Sequence, residues 1–258
     1  MSTILFPSPI FGPVQSRRLG TSLGINLLPA DGKLCNFNCI YCECGWNEEH
    51  RPHQKLPSKE SVQRLLTKTL QEHQQQNKKI DVITFAGNGE PTLHPDFPTI
   101  IARTLQTRDQ WMPKAKVCVL TNATTLDDPS VLQALLNVDQ ALLKVDTVQS
   151  HFHRLVNQPQ KKYDINHIIE TIQQYPKHFT IQTMFLRGRY KGENISNTTE
   201  QYVQPWLDAL QKMNPKDVSI YTIARDTPHQ GLQKASPDTL DLIAKRVRAL
   251  GYPCQVSY

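Results

Sequence analysis

Apolar and polar positions along the 258-residue chain switch repeatedly between two periods. Short runs of β-formers are followed by longer stretches whose apolar residues recur every three or four positions. Residues 22–28 (SLGINLL) read as a strand. Ser58 reads as the N-cap of a helix that carries Val62, Leu65, Leu66 and Leu70 on one face, continued by Thr69 and His73. Strands follow at 81–86 (DVITFA), 116–120 (KVCVL), 140–146 (QALLKVD), 178–186 (HFTIQTMFL) and 217–224 (DVSIYTIA). Between them lie helical faces: Ile100, Ile101 and Leu105 after Pro95, then Val131, Leu132, Leu135 and Leu136 after an Asp128–Pro129 cap. Ile165, Ile168, Ile169 and Ile172 follow Asp164, and Val203, Trp206, Leu207 and Leu210 form the next face, where Pro205 implies a kink or a later start. Ser236–Pro237 opens a last helix with Leu240, Ile243, Ala244, Val247 and Leu250, stopped near Gly251, and the tail 254–258 reads as a short extra strand.

Six strand–helix units in alternation predict an α/β fold with parallel strands and right-handed crossovers. Six are too few for a closed eight-stranded barrel. They fit a doubly wound sheet or a partial barrel, (βα)6 and TIM-like. With no linker and no fixed-period repeat, the expectation is one domain spanning 1–258, an extension at 1–21 and a core at about 22–251. In either architecture ligands bind at the C-terminal ends of the strands. That rule marks 87–91, 121–124, 146–147, 187–188 and 225–226.

Composition narrows the setting. Only 38% of residues are hydrophobic and 20% are charged, and uncharged polar residues, chiefly 23 glutamines, make up the difference. The apolar residues are nonetheless grouped into periodic segments, which argues against disorder. No apolar run approaches the roughly 18 residues needed to cross a membrane, and no signal peptide is evident. A cytoplasmic protein without membrane contact is expected. The net charge of +6 favours anionic partners: nucleic acid, a phosphorylated ligand or an acidic redox protein.

Four of the six cysteines, Cys35, Cys39, Cys42 and Cys44, lie within ten residues of one another. Such a cluster in a cytosolic chain points to a metal or redox centre rather than a disulfide framework. Cys35, Cys39 and Cys42 form C-x3-C-x2-C. Thiolates are soft ligands that suit zinc or iron–sulfur clusters. Structural zinc commonly uses two separated C-x2-C pairs, and no second pair exists; Cys44 as a fourth ligand would need a strained loop. Three thiolates on one loop would instead hold three irons of a [4Fe–4S] cluster and leave the fourth iron for another ligand.

This motif, with Tyr41 just before its third cysteine and its place after the first strand of a βα series, resembles that of the radical S-adenosylmethionine (SAM) enzymes. Gly87-Asn88-Gly89-Glu90-Pro91, at the end of the next strand, is similar to the Gly-Gly-Glu segment that holds the SAM amino group in that family, with Asn88 in the first glycine's place. Thr121-Asn122-Ala123 resembles the family's Thr-Asn-Gly, with Ala123 replacing glycine. The resemblance implies a [4Fe–4S] cluster on Cys35, Cys39 and Cys42, and SAM held by Tyr41, Gly89, Glu90 and Asn122. Lys144 and Asp146 end a strand where family members often bind SAM. They share one face of it, where an inward Lys–Asp pair is costly unless it meets something polar. Gln182, flanked by apolar residues, and Arg225, which closes the sixth strand, are further candidates for ligand contact. A flavodoxin- or ferredoxin-type electron donor is implied. The stretch 11–20 (FGPVQSRRLG) resembles short iron–sulfur oxidoreductases similar to the radical SAM enzymes that build the tricyclic wyosine base of tRNA. The basic pair Arg17 and Arg18 fits either contact with phosphate, as in RNA, or a plain surface loop. Two alternatives stand beside this reading: a radical-dependent activase or maturase of a partner protein or peptide, and a non-catalytic zinc-binding module for nucleic acid.

Overall fold

The computed structural model describes residues 4–16 and 18–258; Arg17 lies outside the described residues. One curled sheet of eight strands forms the centre, a half-barrel. In sheet order, which is also chain order, these are β1 (Ile10–Ser16), β2 (Gly20–Ile25), β3 (Val82–Phe85), β4 (Lys116–Thr121), β5 (Gln140–Lys144), β6 (Thr180–Met184), β7 (Asp217–Tyr221) and β8 (Cys254–Ser257). From β2 to β8 every pair is parallel, and β1 folds back antiparallel on β2. The alternation read from sequence is thus realised as a partial barrel, and the tail strand pairs with β7.

Helices α1 (Lys59–Gln75), α2 (Phe97–Trp111), α3 (Pro129–Asn137), α4 (Ile165–Gln173), α5 (Glu200–Met213) and α6 (Pro237–Ala249) belong to the crossovers between successive parallel strands. Their starts follow local chemistry. The side chains of Ser58, Asp128, Asp164 and Ser236 each accept a backbone N–H of the first turn that lacks a helical partner. α5 starts at Glu200 and continues through Pro205. Proline has no N–H for the carbonyl four residues earlier; that carbonyl, of Gln201, accepts from Gln149 Nε2 at 2.7 Å.

The sheet's two faces differ because side chains alternate. Ile25, Phe85, Val119, Leu143, Ile181 and Val218 face outward into one buried core with Leu66, Ile100, Leu135, Ile169, Trp206 and Val247 of the helices. The inner face carries small or polar residues. Ser22 and Thr84 are hydrogen-bonded at 2.8 Å across β2 and β3, and Gln182 and Ser219 are opposed across β6 and β7. Val82, Cys118 and Leu142, with Leu19 and Leu120, form an apolar floor.

All the expected strands except β4, which runs one residue further to Thr121, end earlier than the apolar pattern suggests. β2 stops at Ile25 because Asn26 turns its side chain back on the chain, accepting from the backbone N–H of Leu28 and donating to the carbonyl of Phe6. The extension 1–21 carries β1, whose Gly12–Pro13 interruption hides it from a pattern search and whose register slips between Phe11 and Val14. Among the described residues no helix is long and apolar enough to cross a membrane.

Candidate functional site

The C-x3-C-x2-C segment occupies the loop between β2 and α1, at the C-terminal mouth of the half-barrel. Two backbone anchors hold its entry: Leu34 N donates to the carbonyl of Asn88, and Glu90 N donates to that of Leu34. This bridge needs Gly89. Its φ is +134°, and a Cβ there would lie 1.9 Å from the Leu34 carbonyl oxygen. Gly89→Ala should therefore push the cysteine loop away from the strand mouth. The expected result is a clear drop in iron and sulfide taken up per chain on anaerobic reconstitution; wild-type uptake would show that the loop does not depend on this contact.

The far side of the loop is pinned by a π-helical turn, His153–Asn157, through Ile40 N to Val156 O and Asn38 N to Asn157 O, both 3.0 Å. Cys39 is buried, and Cys35 and Cys42 are partly exposed. The thiols stand among donors: Phe37 N is 3.4 Å from Cys35 Sγ, Asn122 Nδ2 is 3.9 Å from it, and Asn157 Nδ2 is 3.6 Å from Cys39 Sγ. Lys33, 3% exposed, donates to the Gly45 carbonyl at 2.7 Å. Burial works against its charge, yet the surrounding sulfurs, Cys42 foremost, keep its pKa above the ordinary lysine value. The neighbouring Cys44, helped by Lys33, holds Cys42 below the ordinary thiol value against desolvation. Burial, followed by the Glu90 carboxylate, pushes Cys35 up.

Glu90 is 3% exposed. Its Oε1 accepts from Thr92 N, Thr92 Oγ1 and Thr121 Oγ1 at 3.2, 2.6 and 2.6 Å, and Oε2 accepts from Asn122 N at 2.7 Å. Burial raises its pKa despite these donors. Glu90 thus ties the end of β3 to the end of β4 beside Cys35, with coordination capacity left mainly on Oε2. Asn122 links the same cluster to the loop by donating to Asn36 Oδ1 at 2.6 Å. Both departures from the family pattern have a structural basis. Asn88 is fully buried and anchors the N-terminal segment, donating to the carbonyls of Phe6 and Pro29 and accepting from Phe6 N. Ala123 takes φ +65°, the region glycine favours, braced by a bond from its N–H to Thr121 Oγ1.

Tyr41, Lys144 and Asp146 meet in one buried network. The Tyr41 hydroxyl donates to Asp146 Oδ2 and accepts from Lys144 Nζ; Lys144 and Asp146 are 2.5 Å apart. Asn157 Nδ2 donates to Asp146 Oδ2 at 2.8 Å, and Met184 N donates to Oδ1 at 3.0 Å. The lysine charge is thereby paired, as an inward Lys–Asp pair requires. Gln182 lies apart, deeper on the inner face, where it accepts from Arg18 at 3.1 Å. Arg225 is at the rim, half-exposed and 2.5 Å from Glu43. Lys33 and Asn157 carried no sequence signal: one is a lysine two positions before a cysteine, the other an asparagine in an irregular turn, and only the fold brings them to the sulfurs.

A cavity of about 320 Å³ opens beside the loop, lined among others by Tyr41, Cys42, Cys44, Gly87, Met184 and Tyr221. Among the described residues no three His, Cys, Asp or Glu side chains converge closely enough to share one ion, as a mononuclear zinc site requires. The three thiols on one loop, facing Lys33, are a donor set that suits an iron–sulfur cluster.

Comparison with known proteins agrees with this arrangement. The family model of the Radical SAM superfamily matches residues 31–200. A UPF0026 protein of Helicobacter pylori (strain J99) is 32% identical over 231 residues, covering 90% of this chain and 71% of its own length. A protein named GTPase Obg from Brachyspira hyodysenteriae is 30% identical over 244 residues; the match takes in 93% of this chain but only 33% of that protein. Among solved structures, a radical SAM methyltransferase from Sphaerobacter thermophilus superposes with a TM-score of 0.67 at 14% identity, covering 92% of this chain and 66% of its own. SuiB of Streptococcus suis bound to S-adenosylmethionine gives 0.63 at 12% identity, covering 90% and 49%. At such identities the superpositions carry the fold alone.

Proposed function

The chain belongs to the radical SAM superfamily, and from that premise we propose that it binds one [4Fe–4S] cluster through Cys35, Cys39 and Cys42 and uses SAM to abstract hydrogen from a substrate. The observation that carries this reading is the three-cysteine loop docked on Gly89 and Glu90 at the half-barrel mouth. When bound, the reduced cluster supplies the electron that breaks the sulfur–C5′ bond of SAM, giving methionine and a 5′-deoxyadenosyl radical.

The protein's part is to hold, orient and shield. Lys33 offsets the negative charge of the thiolates from behind the loop. The Tyr41–Lys144–Asp146 network holds the loop's inner side rigid and sets one wall of the adjoining cavity, which is the proposed SAM site. Glu90 Oε2, buried beside Cys35 and outside that cavity's lining, is the proposed acceptor of the SAM ammonium, with Gly89 allowing close approach of the backbone and Asn122 N holding the carboxylate. Arg225 lies at the open rim of the same cavity, and Gln182, which does not line it, acts through Arg18, which does. An acidic flavodoxin or ferredoxin suits the net charge of +6 as electron donor.

The test is anaerobic reconstitution with iron and sulfide, then reduction with dithionite in the presence of SAM. Iron and acid-labile sulfide in equal amounts, with 5′-deoxyadenosine formed only when reductant is present, are expected. Zinc without sulfide and no 5′-deoxyadenosine would sink the proposal in favour of a zinc module.

A further inference from the structure

Behind the SAM cavity lies a larger one of about 570 Å³ that the cluster chemistry leaves unexplained. The two share Phe6, Arg18, Glu43, Ala86, Ala224 and Arg225, so an occupant of one lies against an occupant of the other. The size suits a small molecule.

Its walls have opposite chemistry. On one side Phe6 and Phe11 are stacked with ring centroids 4.5 Å apart, and Leu19 and Leu120 continue the apolar surface. Phe11 can lie flat on the sheet only because residue 24 is glycine; a Cβ there would be 2.1 Å from its ring. On the other side stand Arg18, Arg225 and Lys234. Arg225 is paired with Glu43. Arg18 is different. Its guanidinium lies 4.6 Å from the centre of the Tyr221 ring and gives one N–H to Gln182 Oε1 at 3.1 Å. Among the described residues it has no carboxylate partner. Arginine presents five donors in a planar fork suited to an oxyanion, and here most of that fork is unspent.

We propose that this cavity receives the substrate, and that the substrate is a small molecule with a phosphate or carboxylate, held by Arg18, on an apolar or aromatic body packed against Phe6 and Phe11. This rests on the proposed radical SAM chemistry, which needs a substrate beside SAM. It also turns Arg18 inward, away from the role of an RNA-binding surface residue.

The experiment titrates the full chain calorimetrically with three probes: phenyl phosphate, phenylacetate and neutral benzyl alcohol. At least one anion should bind tenfold or more tightly than benzyl alcohol, and the tighter of the two names the oxyanion. Arg18→Gln should weaken that anion at least tenfold and leave benzyl alcohol unchanged, which reports an intact cavity. Arg18→Lys should recover part of the loss, since it keeps the charge without the fork. Saturating SAM should leave anion binding in place. No anion preference in the wild type, equal binding by Arg18→Gln, loss of benzyl alcohol together with the anion, or displacement by SAM would each overturn the assignment. Failure of the wild type to form 5′-deoxyadenosine is a separate result that removes the radical chemistry and not the anion site.

Discussion

Cys35→Ala, Cys39→Ala and Cys42→Ala should each take up no intact cluster and form no 5′-deoxyadenosine. Each removes one of three thiolates from a loop whose other side chains supply no replacement ligand in the same place. The hydrogen bonds around the loop sharpen the contrast with the remaining cysteines. Cys44 is buried, and its Sγ is 3.4 Å from the Gly87 carbonyl oxygen, to which it donates. It also stands beside Cys42 and favours the thiolate there. Cys44→Ala should leave the cluster assembled while altering the environment of the Cys42 sulfur. Cys118 lies on the lumen floor between Val82 and Leu142; Cys118→Ala should keep iron, sulfide and SAM cleavage and lose only packing. Iron and sulfide analysis, the cluster's visible absorbance and chromatography of 5′-deoxyadenosine read all five variants. Damage by Cys44→Ala equal to that by Cys39→Ala would mean that the ligand set is wrong.

Glu90→Ala should weaken both the fold and SAM binding. Four donors, from Thr92, Thr121 and Asn122, end on its carboxylate, and all are buried. Leaving them unpaired costs about 2–3 kcal/mol, which for a chain of this size lowers the melting temperature by roughly 5–10 °C. Loss of the proposed charge-assisted bond to the SAM ammonium costs a similar amount, a ten- to hundredfold rise in the dissociation constant at about 1.4 kcal/mol per decade. Glu90→Gln keeps the shape and one acceptor and should lose less of each. Because burial raises the Glu90 pKa, its contribution to stability is full below the ordinary glutamate value of about 4.3 and fades as pH rises through the raised value. Glu90→Gln does not titrate and should remove that slope. Thermal melts over pH and SAM titration of the reconstituted protein separate the two effects. A destabilised Glu90→Ala that binds SAM like the wild type would confine Glu90 to joining β3 and β4.

What the sequence determined on its own are features set by neighbours a few residues apart. Ser58, Asp128, Asp164 and Ser236 announce helix starts because each cap reaches only two or three residues ahead. The β-former runs announce strands, and their strict alternation with helices leaves few topologies besides parallel crossovers. The cysteine motif and Gly89–Glu90 are legible for the same reason: their chemistry is written in adjacent positions. Only the tertiary structure decided which distant residues meet. Tyr41 and Asp146 are 105 positions apart and Arg18 and Gln182 are 164 apart, and each contact exists because the sheet register brings those strand ends or inner faces together. The burial of Lys33, the π-helical turn that carries Asn157 to Cys39, and the hairpin strand β1 that brings Phe11 and Arg18 into the lumen have no local signature. A lysine, an asparagine or a Gly–Pro step looks the same to its chain neighbours whether it faces water or a group of thiols, and the curling of the sheet into a half-barrel makes the difference.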